Sequence, residues 1–374
     1  MKIGILTLPL HTNYGGLLQA YALQTTLERM GHNVAVLDTP KKKKILEWGY
    51  PLTIIKRCIN KFLFRKGNKI FYEQWYNKTY PIISKNTQPF IDKNIHRFEI
   101  SNLQKLPKGE FDAFVVGSDQ VWRPIYFTSM YDTRMEQAYL YFAKGWDVKR
   151  VAYAASFGTD KWEYTKKQTY SCSQLLRMFN YVSTRESSGV ELCKQYLEAE
   201  AIQVVDPTML LGKSDYINLF TSAETPASKG NLLCYILDES KEKLEIIDYI
   251  AKNKNLTPFK TNSKVGDTNL PLEKRIQPPV ESWLRGFHDA EFVVTDSFHA
   301  CVFSIIFQKP FIVIGNKKRG LARFLSLLET FDLAECIAEN LESVKFIDID
   351  WNKVSSILDQ KREEAITFLS NALK

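Results

Sequence analysis

Residues 292–307 read FVVTDSFHACVFSIIF, and this stretch decides the fold class. A short strand-forming run is followed by three residues that can cap a helix, Thr295, Asp296 and Ser297. An otherwise apolar helical stretch comes next, with His299 in its first turn. A strand that leads directly into a helix is half of a βαβ unit, so the pattern predicts a parallel α/β sheet.

The same succession of short β-rich runs and helical patterns recurs along the whole chain. It is typical of parallel sheets built from βαβ units. Strands are predicted in two series, at 3–7, 34–37, 111–116, 150–154, 181–184 and 203–205, and then at 232–237, 256–259, 292–295 and 311–314. The predicted fold class is therefore α/β, with two Rossmann-like lobes.

Chain length favours two lobes, since 374 residues exceed what one hydrophobic core usually spans. The boundary is predicted within 211–230, where residues 222–230 (SAETPASKG) are polar and contain Pro and Gly, as a linker does. The predicted units are 1–215 and 228–350. The final segment, 351–374, has helical apolar spacing and is expected to pack back across the lobes.

Composition argues against several classes of site. The six cysteines are scattered without a CxxC pair, which disfavours a disulfide framework and a zinc site. None of the five histidines is paired at i, i+4, and no acidic cluster has ligand spacing, so no metal is expected. No apolar run reaches the length of a signal peptide or a membrane span, which favours a cytoplasmic protein.

The net charge of +8 is concentrated in residues 41–69, a stretch that begins and ends with lysine (Lys41 and Lys69). It holds ten Lys and Arg against one acid, interleaved with aromatic and aliphatic residues. Such a mixture fits nucleic acid, an anionic membrane surface, or only a solvated helix face.

Polar residues follow two predicted strands of the first lobe. The first strand runs into HTNYGG (11–16), a turn in which Asn13, Gly15 and Gly16 could let a ligand approach a helix N-terminus. The run 111–116 ends in the cluster Gly-Ser-Asp-Gln at 117–120. Ligands of open α/β sheets bind at the carboxyl ends of strands, although a tight turn and a helix cap explain the same residues.

Two residues beside helix N-termini are candidates for anion chemistry. Arg185 follows the strand 181–184 and could hold a carboxylate or phosphate by paired hydrogen bonds, or could simply pair with Glu186. His299 lies where a helix dipole favours a neutral imidazole and attracts anions, although local backbone groups could equally satisfy it.

Six blocks, in this order, resemble the polysaccharide pyruvyl transferase family. They are NYGGLLQAYALQ (13–24), FDAFVVGSDQVW (111–122), YAASFG (153–158), the Arg185-Glu186 turn, VVDPTMLL (204–211) and VTDSFHACVFSIIFQKPFI (294–312). The resemblance implies a fold similar to the two-lobed glycosyltransferase B architecture. It also implies phosphoenolpyruvate as the donor, no further cofactor, and a pyruvate ketal built on two hydroxyls of one sugar.

The resemblance also implies roles for residues. The family's site histidine falls on His299 and its donor-binding arginine on Arg185, and Asp119 could orient or deprotonate the acceptor hydroxyl. Ser297 stands where many relatives carry Arg in an Arg-Leu-His motif, so another cation is expected at the donor. The further candidates are Arg285, Arg323 and Lys309 for the donor, and Asn13, Gly15, Gly16, Ser118 and Gln120 for the acceptor.

The implied setting is capsule or exopolysaccharide biosynthesis, with a sugar or lipid-linked oligosaccharide as acceptor. Such acceptors are assembled at the inner membrane face, so peripheral membrane contact through residues 41–69 is expected, and no nucleic-acid partner. Two other functions stay open: a nucleotide-sugar-dependent glycosyltransferase of the same architecture, and a non-catalytic member of an assembly complex.

Overall fold

The computed structural model describes residues 1–39, 50–62, 70–315 and 321–374. Most of residues 41–69 therefore lies outside the described residues, and only the helix Tyr50–Phe62 belongs to them.

The first sheet is parallel throughout, with strand order β3-β2-β1-β4-β5-β6-β7. Its central strands are apolar and buried, as expected of strands covered by helices on both faces. The strands are β1 Lys2–Leu6, β2 Asn33–Asp38, β3 Arg97–Glu99, β4 Ala113–Val116, β5 Lys149–Ala155, β6 Tyr181–Thr184 and β7 Ile202–Gln203.

Helices connect these strands. They are α1 Tyr14–Arg29, α2 Tyr50–Phe62, α3 Tyr72–Ile83, α4 Gln88–Asn94, α5 Pro124–Tyr131, α6 Lys166–Leu176 and α7 Ser187–Leu197. Helix α1 is buried along most of its length because it packs between the first sheet and the second lobe. The hydroxyl of Tyr14, the first residue of α1, donates to the carbonyl oxygens of Thr261 (3.0 Å) and Pro278 (2.8 Å).

The second sheet is also parallel, with strand order β12-β11-β10-β8-β9. Its strands are β8 Leu232–Tyr235, β9 Pro258–Phe259, β10 Phe292–Thr295, β11 Phe311–Ile314 and β12 Ile337–Ala338. The helices from the lobe connection onward are α8 Lys213–Ser222, α9 Lys241–Lys254, α10 Val280–Asp289, α11 Phe298–Phe307, α12 Ala322–Thr330 and α13 Trp351–Ala372.

The two parallel sheets confirm the predicted α/β fold class with two Rossmann-like lobes. Strands β6, β10 and β11 have the predicted bounds, whereas the strand predicted at 256–259 is only the two residues of β9. The division into 1–215, 228–350 and 351–374 stays a prediction.

Helix α13 contacts both lobes. Its Phe368 ring packs against Tyr153 and Tyr181 of the first sheet, with ring centroids 6.2 and 5.8 Å apart. Near its start, Ser355 accepts a hydrogen bond from Gln308, which ends α11, at 2.9 Å. The helix therefore ties the second lobe to the first.

Candidate active site

His299 is positioned by the tight connection between β10 and α11. The Thr295 hydroxyl donates to the Tyr235 carbonyl (2.8 Å) and accepts from the Ser297 amide (3.0 Å), which fixes the end of the strand. Asp296, fully buried, accepts from the Leu237 amide at 2.7 Å. Helix α11 then begins, so the imidazole of His299 lies in its first turn and is 7% exposed.

Asp206 faces His299 from the first lobe. The distance from its Oδ2 to His299 Nε2 is 3.6 Å, an ion-pair contact slightly longer than a hydrogen bond. Its other oxygen accepts from the amide (3.0 Å) and hydroxyl (2.7 Å) of Thr208, so Asp206 caps the short 3₁₀ helix Pro207–Leu210. The carboxylate is thereby fixed toward the imidazole.

Arg185 is the buried cation of this network. Its Nη1 donates to Asp206 Oδ2 at 2.8 Å, its Nη2 lies 3.5 Å from Asp119 Oδ1, and its Nε lies 3.9 Å from Glu186 Oε2. Burial opposes the charge, but these carboxylates together raise the pKa of Arg185. In the part of the chain that the structure describes, Nε and Nη2 have no hydrogen-bond partner.

The same interactions act on Asp206. Burial raises its pKa, but His299 and then Arg185 outweigh burial and hold the pKa of the carboxyl below its ordinary range. Asp206 is therefore ionised at neutral pH. His299 Nε2, buried beside it, has no hydrogen-bond partner among the described residues, and its contact with Asp206 Oδ2 is the ion pair of 3.6 Å.

Glu186 is held from the opposite side of Arg185. Its Oε1 accepts from the Ser156 hydroxyl (2.8 Å) and from the amides of Phe157 (2.9 Å) and Gly158 (3.2 Å). These donors fix the carboxylate, so Glu186 acts here as part of the scaffold of Arg185. Arg185 therefore pairs with acids, as one of the two sequence interpretations expects. Its contact with the donor stays a prediction.

The loop after β4 brings Asp119 to the network. Gly117 and Ser118 are joined by a cis peptide bond, and Asp119 has a left-handed backbone (φ 54°), which Asp tolerates better than most residues. The Ser118 amide donates to Gln19 Oε1 (2.9 Å) and its hydroxyl to the Ala154 carbonyl (2.7 Å). Ser118 is fully buried in these bonds, and its contact with the acceptor stays a prediction.

Gly15 lies directly against the imidazole of His299. A Cβ on Gly15 would come within 2.1 Å of His299 Nδ1, so no larger residue fits while the ring keeps its place. The N-terminus of α1 therefore faces the imidazole. The turn predicted that a ligand approaches Gly15 closely. The neighbour that the structure places there is the histidine. Gly16 lies beside Asn13 instead, at 3.7 Å.

A cleft lies between the lobes beside His299. Residues from both lobes line it: Asn13, Gln120, Tyr126, Leu237, Asp296, Ser297, Phe298, His299, Arg323 and Phe324. Among the predicted residues, the structure brings Asn13, Gln120, Ser297 and Arg323 to the cleft wall together with His299.

Two guanidinium groups lie against the ring of Phe298. The Cζ of Arg185 is 4.3 Å and the Cζ of Arg323 is 5.6 Å from the ring centroid. Burial, followed by the charge of Arg185, lowers the pKa of Arg323 to about 10. Two buried cations in one place are mutually unfavourable, and an anion bound in the cleft would relieve their repulsion.

Arg285 and Lys309, like Arg185, are not among the described residues that line the cleft. Arg285 is engaged by its helix neighbour Asp289 at 2.8 Å and by the Thr225 carbonyl, and Lys309 donates to the His288 carbonyl at 2.8 Å. The prediction of a donor contact for Arg285 is therefore not supported by its position, since its charge is already paired on α10.

The sequence reasoning missed Asp206 as a site residue. The available signal was an acid at the end of the β-rich run Val204-Val205, immediately before a proline. Strand ends of this sheet carry the other polar residues of the network, so the same rule would have singled out Asp206.

Neither a metal-binding group of side chains nor a membrane-spanning helix is found in the ranges that the structure covers. No group of three or more His, Cys, Asp or Glu side chains there could hold a metal ion. No helix within these ranges is both long and apolar enough to cross a bilayer.

Comparison with known proteins identifies a sequence family. The family model described as polysaccharide pyruvyl transferase matches residues 13–318, which is most of the chain. No curated protein shows significant sequence similarity to it.

Several solved structures match the chain along nearly its whole length. UDP-GlcNAc 2-epimerase from Neisseria meningitidis, bound to UDP-GlcNAc, has 10% identity and a TM-score of 0.46, covering 100% of this chain and 94% of its own. Arabidopsis thaliana UGT89C1, complexed with UDP-L-rhamnose, has 8% identity and a TM-score of 0.48, with coverages of 98% and 97%. E. coli ADP-heptose lps heptosyltransferase II has 9% identity and a TM-score of 0.34, with coverages of 97% and 99%. Similarities this distant carry no conclusion about substrate or reaction.

Proposed function

The chain belongs to the polysaccharide pyruvyl transferase family, and from this premise we propose that it transfers the pyruvate unit of phosphoenolpyruvate to a sugar as a cyclic ketal. The observation that carries the proposal is the network of Arg185, Asp206 and His299, whose histidine lines the cleft between the lobes. It supplies a buried cation and a proton-transfer group at one point, which is what an anionic enol phosphate requires.

The donor is an anion, and the described residues offer it two guanidinium groups. Arg185 has two buried N–H-bearing nitrogens without hydrogen bonds, and such donors are costly unless an acceptor occupies them. A carboxylate or phosphate oxygen of the donor would satisfy them. Arg323 at the cleft wall would provide the second cation and offset the absence of Arg at Ser297.

The first half of the reaction adds one sugar hydroxyl to the donor. A proton is delivered to the methylene carbon, which becomes a methyl group and leaves an oxocarbenium-like centre at the neighbouring carbon. The hydroxyl oxygen bonds to that centre and gives up its proton. Asp119 is proposed to orient this hydroxyl or accept its proton, because its carboxylate lies beside Arg185 at the end of β4.

The second half closes the ketal. The bond from carbon to phosphate oxygen breaks, phosphate leaves with a proton, and the second hydroxyl bonds to the same carbon and gives up its own proton, which replaces the one that left with phosphate. His299 is the proposed proton donor, either to the enol carbon or to the departing phosphate. The Asp206 carboxylate lies 3.6 Å from its Nε2.

The acceptor is proposed to enter from the cleft. Asn13 and Gln120 line it from the first lobe with amide groups, which suit sugar hydroxyls, and the Tyr126 ring lies beside them. By the family resemblance the acceptor is a sugar or a lipid-linked oligosaccharide of capsule or exopolysaccharide synthesis. The enzyme would then work in the cytoplasm at the inner membrane face.

The proposal is tested by measuring phosphate release from phosphoenolpyruvate in the presence of lipid-linked oligosaccharides. We expect His299→Gln to lower kcat by about 100- to 10,000-fold, the usual contribution of a general acid or base. His96→Gln is the matched control, because its ring is exposed and pairs only with Glu28 among the described contacts.

Two results would contradict the proposal. Near-wild-type turnover of His299→Gln would exclude the histidine from chemistry. Thermal stabilisation by nucleotide sugars but not by phosphoenolpyruvate would indicate a glycosyltransferase, and stabilisation by neither, without turnover, would indicate a non-catalytic protein.

A further inference from the structure

Helix α2 is attached to the rest of the protein by one face. Arg57 donates to both carboxylate oxygens of Glu73 at 2.7 Å, and also to the Ile70 carbonyl at 3.1 Å. Its guanidinium lies 5.9 Å from the centroid of the Tyr72 ring. These contacts fix which side of α2 faces α3.

The opposite side of α2 presents a stripe of large aliphatic residues to solvent. Leu52 is 73% exposed, Ile55 54% and Ile59 43%. Their spacing of three and four residues places them on one face of the helix, about one turn apart. Lys56 is exposed beside them. A stripe of this kind costs free energy in water and marks a surface that has a partner.

The charge of α2 indicates which partner. The helix sequence, YPLTIIKRCINKF, has no acid; Arg57 is paired with Glu73 on the opposite side, and Lys56 is the exposed base beside the stripe. A second copy would bring like charges together, so the stripe is poorly suited to self-association. A nucleic acid would match the charge but would leave the aliphatic stripe in water. An anionic phospholipid surface satisfies both features.

We propose that Leu52, Ile55 and Ile59 insert into an anionic phospholipid surface, with α2 lying in the plane of the interface. The aliphatic side chains would enter the boundary between headgroups and acyl chains, and the neighbouring lysine would remain among the headgroup phosphates. This is binding to the surface of a bilayer and is independent of which donor or acceptor the cleft takes. Membrane contact is expected for residues 41–69 as a whole, and the proposal places it on these three described residues.

The test is flotation of the full chain with vesicles of phosphatidylcholine, with and without phosphatidylglycerol. We expect the wild-type protein to float with the anionic vesicles, and less well as salt is raised. The triple variant Leu52→Ser, Ile55→Ser, Ile59→Ser should lower the partition coefficient by more than about tenfold, since three apolar side chains no longer leave water. Its targets are exposed, so an unchanged melting temperature is expected.

A matched control replaces exposed leucines on other elements, Leu244→Ser with Leu341→Ser, and should float like the wild type. Hydrogen exchange gives a second readout without mutation, as vesicles should slow exchange within Tyr50–Phe62. The proposal is overturned if the wild type does not float, if the triple variant floats equally well, or if vesicles leave exchange in α2 unchanged. A concentration-dependent dimer that the triple variant dissolves would assign the stripe to a second copy instead.

Discussion

Asp206 presents one oxygen to two partners, Arg185 at 2.8 Å and His299 at 3.6 Å. We expect Asp206→Asn to lower kcat about 10- to 100-fold, the equivalent of one charged hydrogen bond. An amide oxygen can still accept from Thr208, so the local turn should persist. The imidazole would lose the charge that faces it, so we expect the loss in kcat rather than in KM for phosphoenolpyruvate. An unchanged kcat would show that this charge takes no part in the reaction.

The depressed pKa of Asp206 also predicts how stability depends on pH. Burial raises the pKa, but His299 and Arg185 lower it below the unfolded value of about 3.9. A group with a lowered folded pKa contributes stability above its unfolded pKa, and loses it as pH falls through the folded one. The wild type should therefore lose more stability than Asp206→Asn between neutral pH and pH of about 3. Urea unfolding at several pH values measures this, with exposed Asp348→Asn as control.

At the scale of elements, the contact between the N-termini of α1 and α11 carries the next prediction. Gly15→Ala would place a methyl group 2.1 Å from His299 Nδ1, so the ring or the helix must move. We expect kcat to fall about 100-fold, since small displacements of a catalytic group have large effects. Gly16→Ala is the control, because its nearest neighbour outside the helix, Asn13, lies at an ordinary 3.7 Å.

Circular dichroism and thermal melting distinguish the two glycine variants by stability. In a helix, Gly to Ala is worth up to about 1 kcal/mol, so Gly16→Ala should melt at the same temperature or higher. Equal kcat values for the two variants would show that the position of the imidazole does not depend on α1.

The elements that sequence predicts well are those with continuous apolar runs. Strands β10 (FVVT) and β11 (FIVI) have the predicted bounds, and β6 (YVST) has them although its run is half polar. In contrast, β3 is Arg97-Phe98-Glu99, an edge strand whose charged residues protect the sheet from further pairing and hide the apolar signal. Strand β12 has only two residues, too few for any periodicity.

The candidate site is predictable where chemistry is local and unpredictable where it depends on packing. Arg185 and His299 are recognisable because each follows a strand at a helix N-terminus. The contact of Gly15 with His299 joins residues far apart in sequence, and only the docking of two lobes creates it. Likewise, sequence alone does not distinguish an Arg285 that pairs with its helix neighbour Asp289 from one that contacts a ligand.

At the scale of the whole molecule, the two lobes meet through the segment that positions His299. The side-chain amide of Gln277, in the second lobe, donates to the Thr12 carbonyl at 3.3 Å. Its backbone amide donates to the Ile83 carbonyl at 3.0 Å. Tyr14, the first residue of α1, packs on Trp283 with ring centroids 5.5 Å apart. The turn before α1 is thus anchored in the second lobe, although its chain belongs to the first sheet.

Tyr14→Phe tests whether this anchor matters for the site. The hydroxyl of Tyr14 has one proton, which the carbonyl oxygens of Thr261 and Pro278 share, so the variant leaves buried acceptors unsatisfied. We expect a loss of about 1–3 kcal/mol in the free energy of unfolding. Because the next residue, Gly15, contacts His299, kcat should fall as well.

Tyr139→Phe is the matched control for the lobe contact, since it removes a buried hydroxyl bond of 2.8 Å to Tyr164 within the first lobe. Its cost in stability should be similar, because a buried polar group again loses its partner. Its kcat should stay close to the wild-type value, because no lobe contact is altered. If both variants lowered kcat equally, the loss would follow from general destabilisation. If only Tyr14→Phe did so, the docking of the lobes would be what places Gly15 against the imidazole.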